Sequence, residues 1–138
     1  MRAGETVFVD TGAWIALALE KDPLHDRALQ GWTSLQGAGA VLHTSVSVIL
    51  ETFTFLERNT LREVALAWKD SLGKVEGLEV HACTPQDLEE AWPWFLRRDL
   101  HKLSAVDATS FVLMHRHKIR VAFSFDHHFA MAGFRMLG

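Results

Sequence analysis

A short apolar run near the N-terminus most constrains the fold of this chain. Residues 6–9 (Thr-Val-Phe-Val) are β-branched or aromatic without alternation, which is typical of a strand buried on both faces of a parallel sheet. Asp10 and Gly12 follow, and a second apolar stretch from Ala13 to Leu19 predicts a helix that returns over the sheet. Asp10 is therefore expected at the carboxyl end of a strand, where open α/β sheets bind their ligands.

The rest of the chain alternates strand-like and helix-like patterns. Further strands are predicted at 40–43, 77–82, 121–125 and 134–137, and helices at 25–36, 45–58, 60–72, from 84 onward and at 104–118. This alternation predicts an α/β protein with a parallel sheet of four to five strands covered by helices on both faces. We find no linker or repeat, so residues 1–138 are expected to form a single domain.

Capping patterns predict where several helices begin. Thr60–Glu63 and Ser104–Asp107 have the spacing of a capping box, and Thr84–Asp87 adds a proline at the first helical position. Pro93 lies inside the helix that begins after Thr84, and it is expected to kink that helix.

Composition excludes several classes of protein. The single cysteine, Cys83, cannot form an internal disulfide, the N-terminus lacks a signal peptide, and no apolar stretch reaches the ~18 residues of a membrane span. We therefore expect a cytoplasmic protein. The formal net charge is −3 and becomes +1 when the four acids described next are set aside, so mild acidity argues only weakly against an RNA partner.

Four acids are candidates for a common site. Asp10 and Asp126 each follow a predicted strand, Asp107 lies at a helix start, and Glu51 lies within a helix. Carboxylates gathered at one end of a sheet repel each other unless they hold cations. A site with only oxygen ligands suits Mg²⁺ or Mn²⁺, and such ions activate water for attack on a phosphoryl group. The pattern therefore indicates a metal-dependent nuclease.

Three of these acids also have a purely structural interpretation. Asp10 can cap the helix that follows it, Asp107 can complete a capping box with Ser104, and Asp126 can occupy a turn. For Asp107 the structural and functional interpretations are compatible. No single acid decides between the interpretations, but their agreement favours a shared site.

Glu51 has a less obvious context. Its helix is predicted to bury one apolar stripe, and Glu51 lies across from that stripe, where solvent exposure is usual. However, its neighbours on its own face are Val48 and Phe55, which is unusual for a surface glutamate. The predicted stripe consists of Val46, Ile49, Leu50 and Phe53.

Basic and histidine groups give weaker signals. The clusters Arg97–Lys102 and His115–Lys118 are candidates for phosphate contact, although a solvated helix end explains the second cluster equally well. His127 and His128 beside Asp126 fit a partly exposed helix start better than a phosphate contact.

Taken together, these segments resemble a known family. The segments are Val7–Gly12, Leu50–Thr52, Leu103–Ala108 and Phe123–Phe129, and they resemble the PIN domain, most closely its small prokaryotic VapC-type toxins. The resemblance covers essentially the whole chain. It implies a three-layer α/β/α fold and an Mg²⁺- or Mn²⁺-dependent endoribonuclease. It also implies that the catalytic, metal-binding acids are Asp10, Glu51, Asp107 and Asp126.

The same resemblance implies partners, and two alternative functions stay open. It implies an RNA substrate, a homodimer and, for a toxin of a type II toxin–antitoxin pair, a co-encoded antitoxin; an RNA-processing role fits the family as well. A haloacid-dehalogenase-like phosphatase also begins with an aspartate after its first strand, but its chemistry needs a second acid where this chain has Gly12. The other alternative is a non-catalytic RNA-binding or regulatory module.

Overall fold

A parallel five-stranded sheet forms the centre of the protein. The computed structural model describes residues 2–138. The strands are β1 (Thr6–Val9), β2 (Val41–Ser45), β3 (Glu79–His81), β4 (Val121–Phe123) and β5 (Arg135–Leu137). They are ordered β3-β2-β1-β4-β5, and every neighbouring pair is parallel. The predicted parallel sheet is therefore confirmed, and β1 lies at its centre.

Helices cover both faces of this sheet. They are α1 (Thr11–Ala18), α2 (His25–Gly37), α3 (Val46–Asn59), α4 (Arg62–Ser71), α5 (Pro85–Ala91), α6 (Ala105–Arg116) and α7 (His128–Met131). Helices α1 to α4 pack against one another, and α5 and α7 pack against α6. The three-layer α/β/α prediction is confirmed. Within residues 2–138, none of the helices has the length and apolar character needed to cross a membrane.

The core is densest around the two central strands. Val7, Phe8 and Val9 of β1 are completely buried, as are most side chains of β4, which explains why these strands show no polar alternation. Gly31 of α2 lies directly over the Phe123 ring, and a Cβ at this position would be only 3.0 Å from a ring carbon. Glycine at residue 31 therefore lets α2 pack closely on the sheet.

Two of the predicted helix boundaries differ from the structure. The capping box at Thr60 is wrong: α4 begins after Leu61, and the Thr60 hydroxyl donates instead to the Leu56 carbonyl at the end of α3. Pro93 does not kink a continuing α-helix, because α5 ends at Ala91 and a 3₁₀ segment follows. The box at Thr84 is confirmed in both of its hydrogen bonds.

The buried face of α3 is only partly the predicted one: Ile49 and Phe53 pack against the core as expected, but the other two residues of the predicted stripe do not. Val46 and Leu50 are exposed, Leu50 to 62%, whereas the completely buried side chains are Val48, Thr52 and Leu56. Thr52 is accommodated because its hydroxyl donates to the Val48 carbonyl at 2.8 Å. Because the buried side chains differ from the predicted ones, Glu51 lies beside the buried stripe and not opposite it.

Candidate active site

An open cleft of about 370 Å³ brings together the four acids predicted from the sequence. It lies at the carboxyl ends of the central strands β1 and β4, between the start of α1, the middle of α3 and the start of α6. Its lining residues are Asp10, Thr11, Gly12, Ile15, Glu51, Lys102, Ser104, Asp107, Phe125 and Asp126. Elements far apart in the sequence thus supply one acid each.

Asp10 is held in the floor of this cleft. Its side chain is 3% exposed and does not cap α1, so the helix-capping interpretation of this residue is wrong. The Ser124 hydroxyl donates to Asp10 Oδ2 at 3.0 Å, whereas Oδ1 is buried without a partner among the described residues. Burial, reinforced by the charges of Glu51 and Asp126, raises the pKa of Asp10 to about 7.

Asp107 and Asp126 form a closely interacting pair of carboxyl groups. Burial raises the pKa of Asp107 to about 9, with Asp10 and Asp126 adding repulsion. Burial alone would raise the pKa of Asp126 too, but hydrogen bonds from Asp107 and His128 lower it below its usual value. The Ser104 hydroxyl accepts from the Asp107 N–H at 3.0 Å, but the Asp107 carboxylate does not bond back to the Ser104 N–H. Only half of the predicted capping box forms, and the Asp107 carboxylate faces the cleft instead.

His128 is buried beside the cleft and contacts Asp126, which its sequence context does not indicate. It is buried, its backbone N–H donates to Asp126 Oδ1 at 2.9 Å, and its Nε2 lies 2.7 Å from the His101 carbonyl. Nδ1 is also 2.9 Å from Asp126 Oδ1, but without the alignment of a hydrogen bond. His127, in contrast, has a side chain 78% exposed. The expectation of an exposed helix start thus holds for His127 and is wrong for His128.

Glu51 reaches the cleft from the side. It is half-buried on α3, one turn after the fully buried Val48, and its charge contributes to the raised pKa values of Asp10 and Asp107. A solvated surface glutamate would not interact with two buried acids in this way.

The predicted basic clusters are only partly available for phosphate. Lys102 lines the cleft from a left-handed backbone conformation with φ of 56°. Arg97 is engaged by Asp99 at 2.6 Å, and Arg116 pairs with the buried Asp87. Of the groups in these two clusters, Lys102 is therefore the one positioned beside the acids.

The residues present fit a hard divalent cation. The cleft collects carboxylate oxygens, one of them the buried Oδ1 of Asp10, which has no partner among the described residues. Burial, and next to it the charges of neighbouring acids, raises the pKa values of Asp10 and Asp107. A cation would satisfy the orphaned oxygen and remove the repulsion. The oxygens of Asp107 and Asp126 and a nitrogen of His128 also lie within 4.8 Å of one another.

Reasoning from the sequence missed two residues that organise the cleft. Ser124 joins Asp10 to the last acid, because its hydroxyl donates to Asp10 and accepts from the Asp126 N–H, both at 3.0 Å. A serine two residues before an acid at a strand end was the available signal. For His128 the sequence offered only its position beside Asp126, because its burial depends on how α7 packs.

Comparison with known proteins gives a consistent result. The sequence profile of the PIN domain matches residues 7–135 of this chain. The 23S rRNA-specific endonuclease VapC20 of Mycobacterium tuberculosis is 37% identical over 128 residues, which span 93% of this chain and 95% of that protein.

Solved structures agree with the sequence comparison. The crystal structure of M. tuberculosis VapC20, described as a sarcin–ricin loop cleaving toxin, superposes with a TM-score of 0.82 at 36% identity, covering 93% of this chain and 95% of that one. VapBC2 of Rickettsia felis bound to promoter DNA gives a TM-score of 0.67 at 11% identity, covering 95% and 96%. DNA-bound VapBC of Salmonella typhimurium gives 0.66 at 15% identity, covering 96% of each chain. The last two likenesses show the fold alone.

Proposed function

This chain belongs to the PIN domain family, and on that premise we propose that residues 1–138 form a single-domain, metal-dependent endoribonuclease. We assign metal binding and catalysis to Asp10, Glu51, Asp107 and Asp126. Family membership argues against the phosphatase alternative, as does Gly12 at the position where that chemistry needs an acid.

One observation carries the assignment of these four residues. Four acids from separate elements line one cleft, and the pKa values of two of them, Asp10 and Asp107, are raised to about 7 and about 9. Such an arrangement costs stability, because burial and like charges disfavour ionised carboxylates. It is therefore expected mainly where function requires it.

The side chains have distinct tasks in this proposal. Mg²⁺ or Mn²⁺ bound by the acids would supply a water of lowered pKa and neutralise charge on a phosphoryl oxygen. Ser124 fixes one oxygen of Asp10 and leaves the other free for a cation. His128 orients the Asp126 carboxylate. Lys102, at the rim, provides a positive charge for the RNA phosphate.

The substrate and biological role follow from the relatives. Because VapC20 is a 23S rRNA-specific endonuclease and this chain covers 95% of it, we propose that this protein cleaves ribosomal RNA at a sarcin–ricin-type loop. We further propose that it is the toxin of a type II pair, held inactive by a co-encoded antitoxin, since VapC20, 36% identical in its crystal structure, is described as a toxin. A homodimer and a cytoplasmic site of action belong to the same proposal.

The direct test is cleavage of a synthetic sarcin–ricin loop RNA with Mg²⁺ or Mn²⁺. Asp10→Asn and Asp107→Asn should each lower the rate about 100-fold or more, because charge stabilisation by the ion is worth several kcal/mol and each ~1.4 kcal/mol is tenfold. Asp26→Asn, which removes an exposed carboxylate at the start of α2, is the matched control and should cleave normally.

Different results would contradict different parts of the proposal. Full activity of folded Asp10→Asn protein would refute the assigned site. Cleavage of other RNAs but not of the sarcin–ricin loop RNA would support the proposed nuclease activity and contradict the proposed substrate. An inactive wild-type protein that binds RNA without a metal requirement would support the non-catalytic alternative.

A further inference from the structure

A second group of potential metal ligands lies on the other half of the sheet. His43 Nδ1 is 2.8 Å from His81 Nε2 and 3.5 Å from Glu79 Oε2. One ligand atom from each of these three residues lies within 4.8 Å of the others. None of the acids of the candidate active site belongs to this group, which we call the His43–Glu79–His81 cluster.

The pairing of two strands creates this cluster. His43 of β2 is directly opposite Glu79 of β3 in the parallel register. His81 lies two residues after Glu79, so both side chains project from the same face of β3. The two paired strands thus hold three ligand-bearing side chains close together. On the same face, His117 at the end of α6 stacks on His81 with ring centroids 3.9 Å apart.

The chemical state of the cluster suits a transition metal. Burial is the main cause that lowers the pKa values of His43 and His81, so both rings are neutral near pH 7, and a neutral ring is the form that binds a metal. Two imidazoles and one carboxylate are the donors of known three-ligand zinc sites. The Glu79 side chain is 60% exposed, so an ion can enter from solvent.

To admit an ion, the two rings must part and turn, because their planes are nearly parallel and the two nitrogens face each other. Zn–N bonds of about 2.0–2.1 Å place two tetrahedral ligand atoms about 3.3 Å apart, so His43 Nδ1 and His81 Nε2 must part by about half an ångström. His43 Nε2 has no hydrogen-bond partner among residues 2–138, so turning this ring breaks no second bond.

From this geometry we propose that His43, Glu79 and His81 form a binding site for Zn²⁺ or a similar transition metal, separate from the carboxylate cleft. The ion would replace the hydrogen bond between the two rings and fasten the short edge strand β3 to β2. Three protein ligands leave a fourth position for water.

The test is metal binding by the purified protein, measured by Zn²⁺ titration calorimetry and by the visible absorption of bound Co²⁺. Wild type should bind one equivalent at this cluster. An Asp10→Asn/Asp107→Asn/Asp126→Asn variant, which disables the carboxylate cleft, should retain that equivalent and its Co²⁺ spectrum.

Substitutions in the cluster should remove the binding selectively. His81→Gln should weaken Zn²⁺ binding about 100-fold or more, because loss of even an outer-shell partner costs about 10- to 100-fold. Glu79→Gln, at an exposed side chain that leaves the fold intact, should weaken it as well. His127→Gln, at an exposed histidine outside the cluster, is the matched control and should bind like wild type.

Two outcomes would overturn the proposal. In the first, wild type binds no Zn²⁺, which would leave the cluster as a hydrogen-bonded histidine pair. In the second, binding survives both His81→Gln and Glu79→Gln but is lost from the triple variant, which would place the ion in the carboxylate cleft. Circular dichroism in EDTA should show the same fold for every variant.

Discussion

The crowded carboxylates should make the metal-free protein lose stability as the pH rises. In the folded state the pKa of Asp10 is raised from 3.8 to about 7, and that of Asp107 to about 9. An acid whose pKa is higher in the folded than in the unfolded protein contributes its full share of stability below the unfolded pKa, near pH 4. That contribution is lost as the pH rises through the folded pKa. The decline should therefore begin near pH 4 and extend to about pH 9, so most of it lies between pH 5 and pH 9.

The size of this effect can be worked out from Asp10. A shift of about three pKa units at about 1.4 kcal/mol each corresponds to about 4 kcal/mol once the group is fully ionised. For a domain of this size that is a fall of roughly 10 °C in melting temperature. Mg²⁺ at about 100 times its Kd should restore about 2.7 kcal/mol, with more effect at pH 8 than at pH 5.

The assay is calorimetric melting from pH 5 to pH 9, in EDTA and in Mg²⁺ or Mn²⁺, with Na⁺ at matched ionic strength as the salt control. The Asp10→Asn/Asp107→Asn variant should lose the part of the pH dependence that comes from these two acids, together with the metal response, and in EDTA at pH 8 it should melt higher than wild type. Subtracting its profile removes the contribution of the histidines. A wild-type melting temperature in EDTA that does not fall with pH would falsify the reasoning, and a metal response that survives in the variant would place the ions elsewhere.

Three further substitutions test two side chains of the cleft and one ion pair outside it. Glu51→Gln should lower RNA cleavage at least about tenfold while its free energy of unfolding stays within about 0.5 kcal/mol of wild type. The exposed Glu89→Gln should change neither quantity, and equal turnover in both variants would return Glu51 to a surface role. Ser124→Ala removes the hydroxyl that joins two of the acids and should weaken Mn²⁺ binding, measured by titration calorimetry, while unchanged affinity would make this bond dispensable. Arg116→Met leaves the buried Asp87 without its guanidinium partner and should lower the free energy of urea unfolding at pH 7 by about 1–2 kcal/mol. Burial raises the pKa of Asp87, but its hydrogen bonds hold it below 3.8, so the loss of stability should disappear in acid. A loss that persists in acid would show that packing alone is responsible.

The sequence was most informative where local chemistry and tertiary position agree. The unbroken apolar run of β1 forecast a buried central strand, and an acid directly after it had to lie at the ligand-binding edge of the sheet. The capping box at the start of α5 likewise lies entirely within four residues, Thr84–Asp87, and both of its hydrogen bonds form. Such features need no knowledge of the neighbouring elements.

Prediction failed where a neighbouring element decides the outcome. Helix α3 is apolar on more than one side, so periodicity could not show that Val48 and Thr52, not Val46 and Leu50, face the interior. Thr60 fits a capping box locally, but the end of α3 provides a nearer acceptor for its hydroxyl. The burial of His128 depends on the His101 carbonyl, 27 positions earlier in the chain.

The hydrogen bond between Ser124 and Asp10 joins residues 114 positions apart, and this separation has a consequence for protein synthesis. The cleft exists only after β4 has paired with β1, so a growing chain that has not yet reached β4 contains two or three of the acids but no assembled site. With the four acids assigned as we propose, activity cannot appear before Asp126 has been synthesised and β4 has paired with β1.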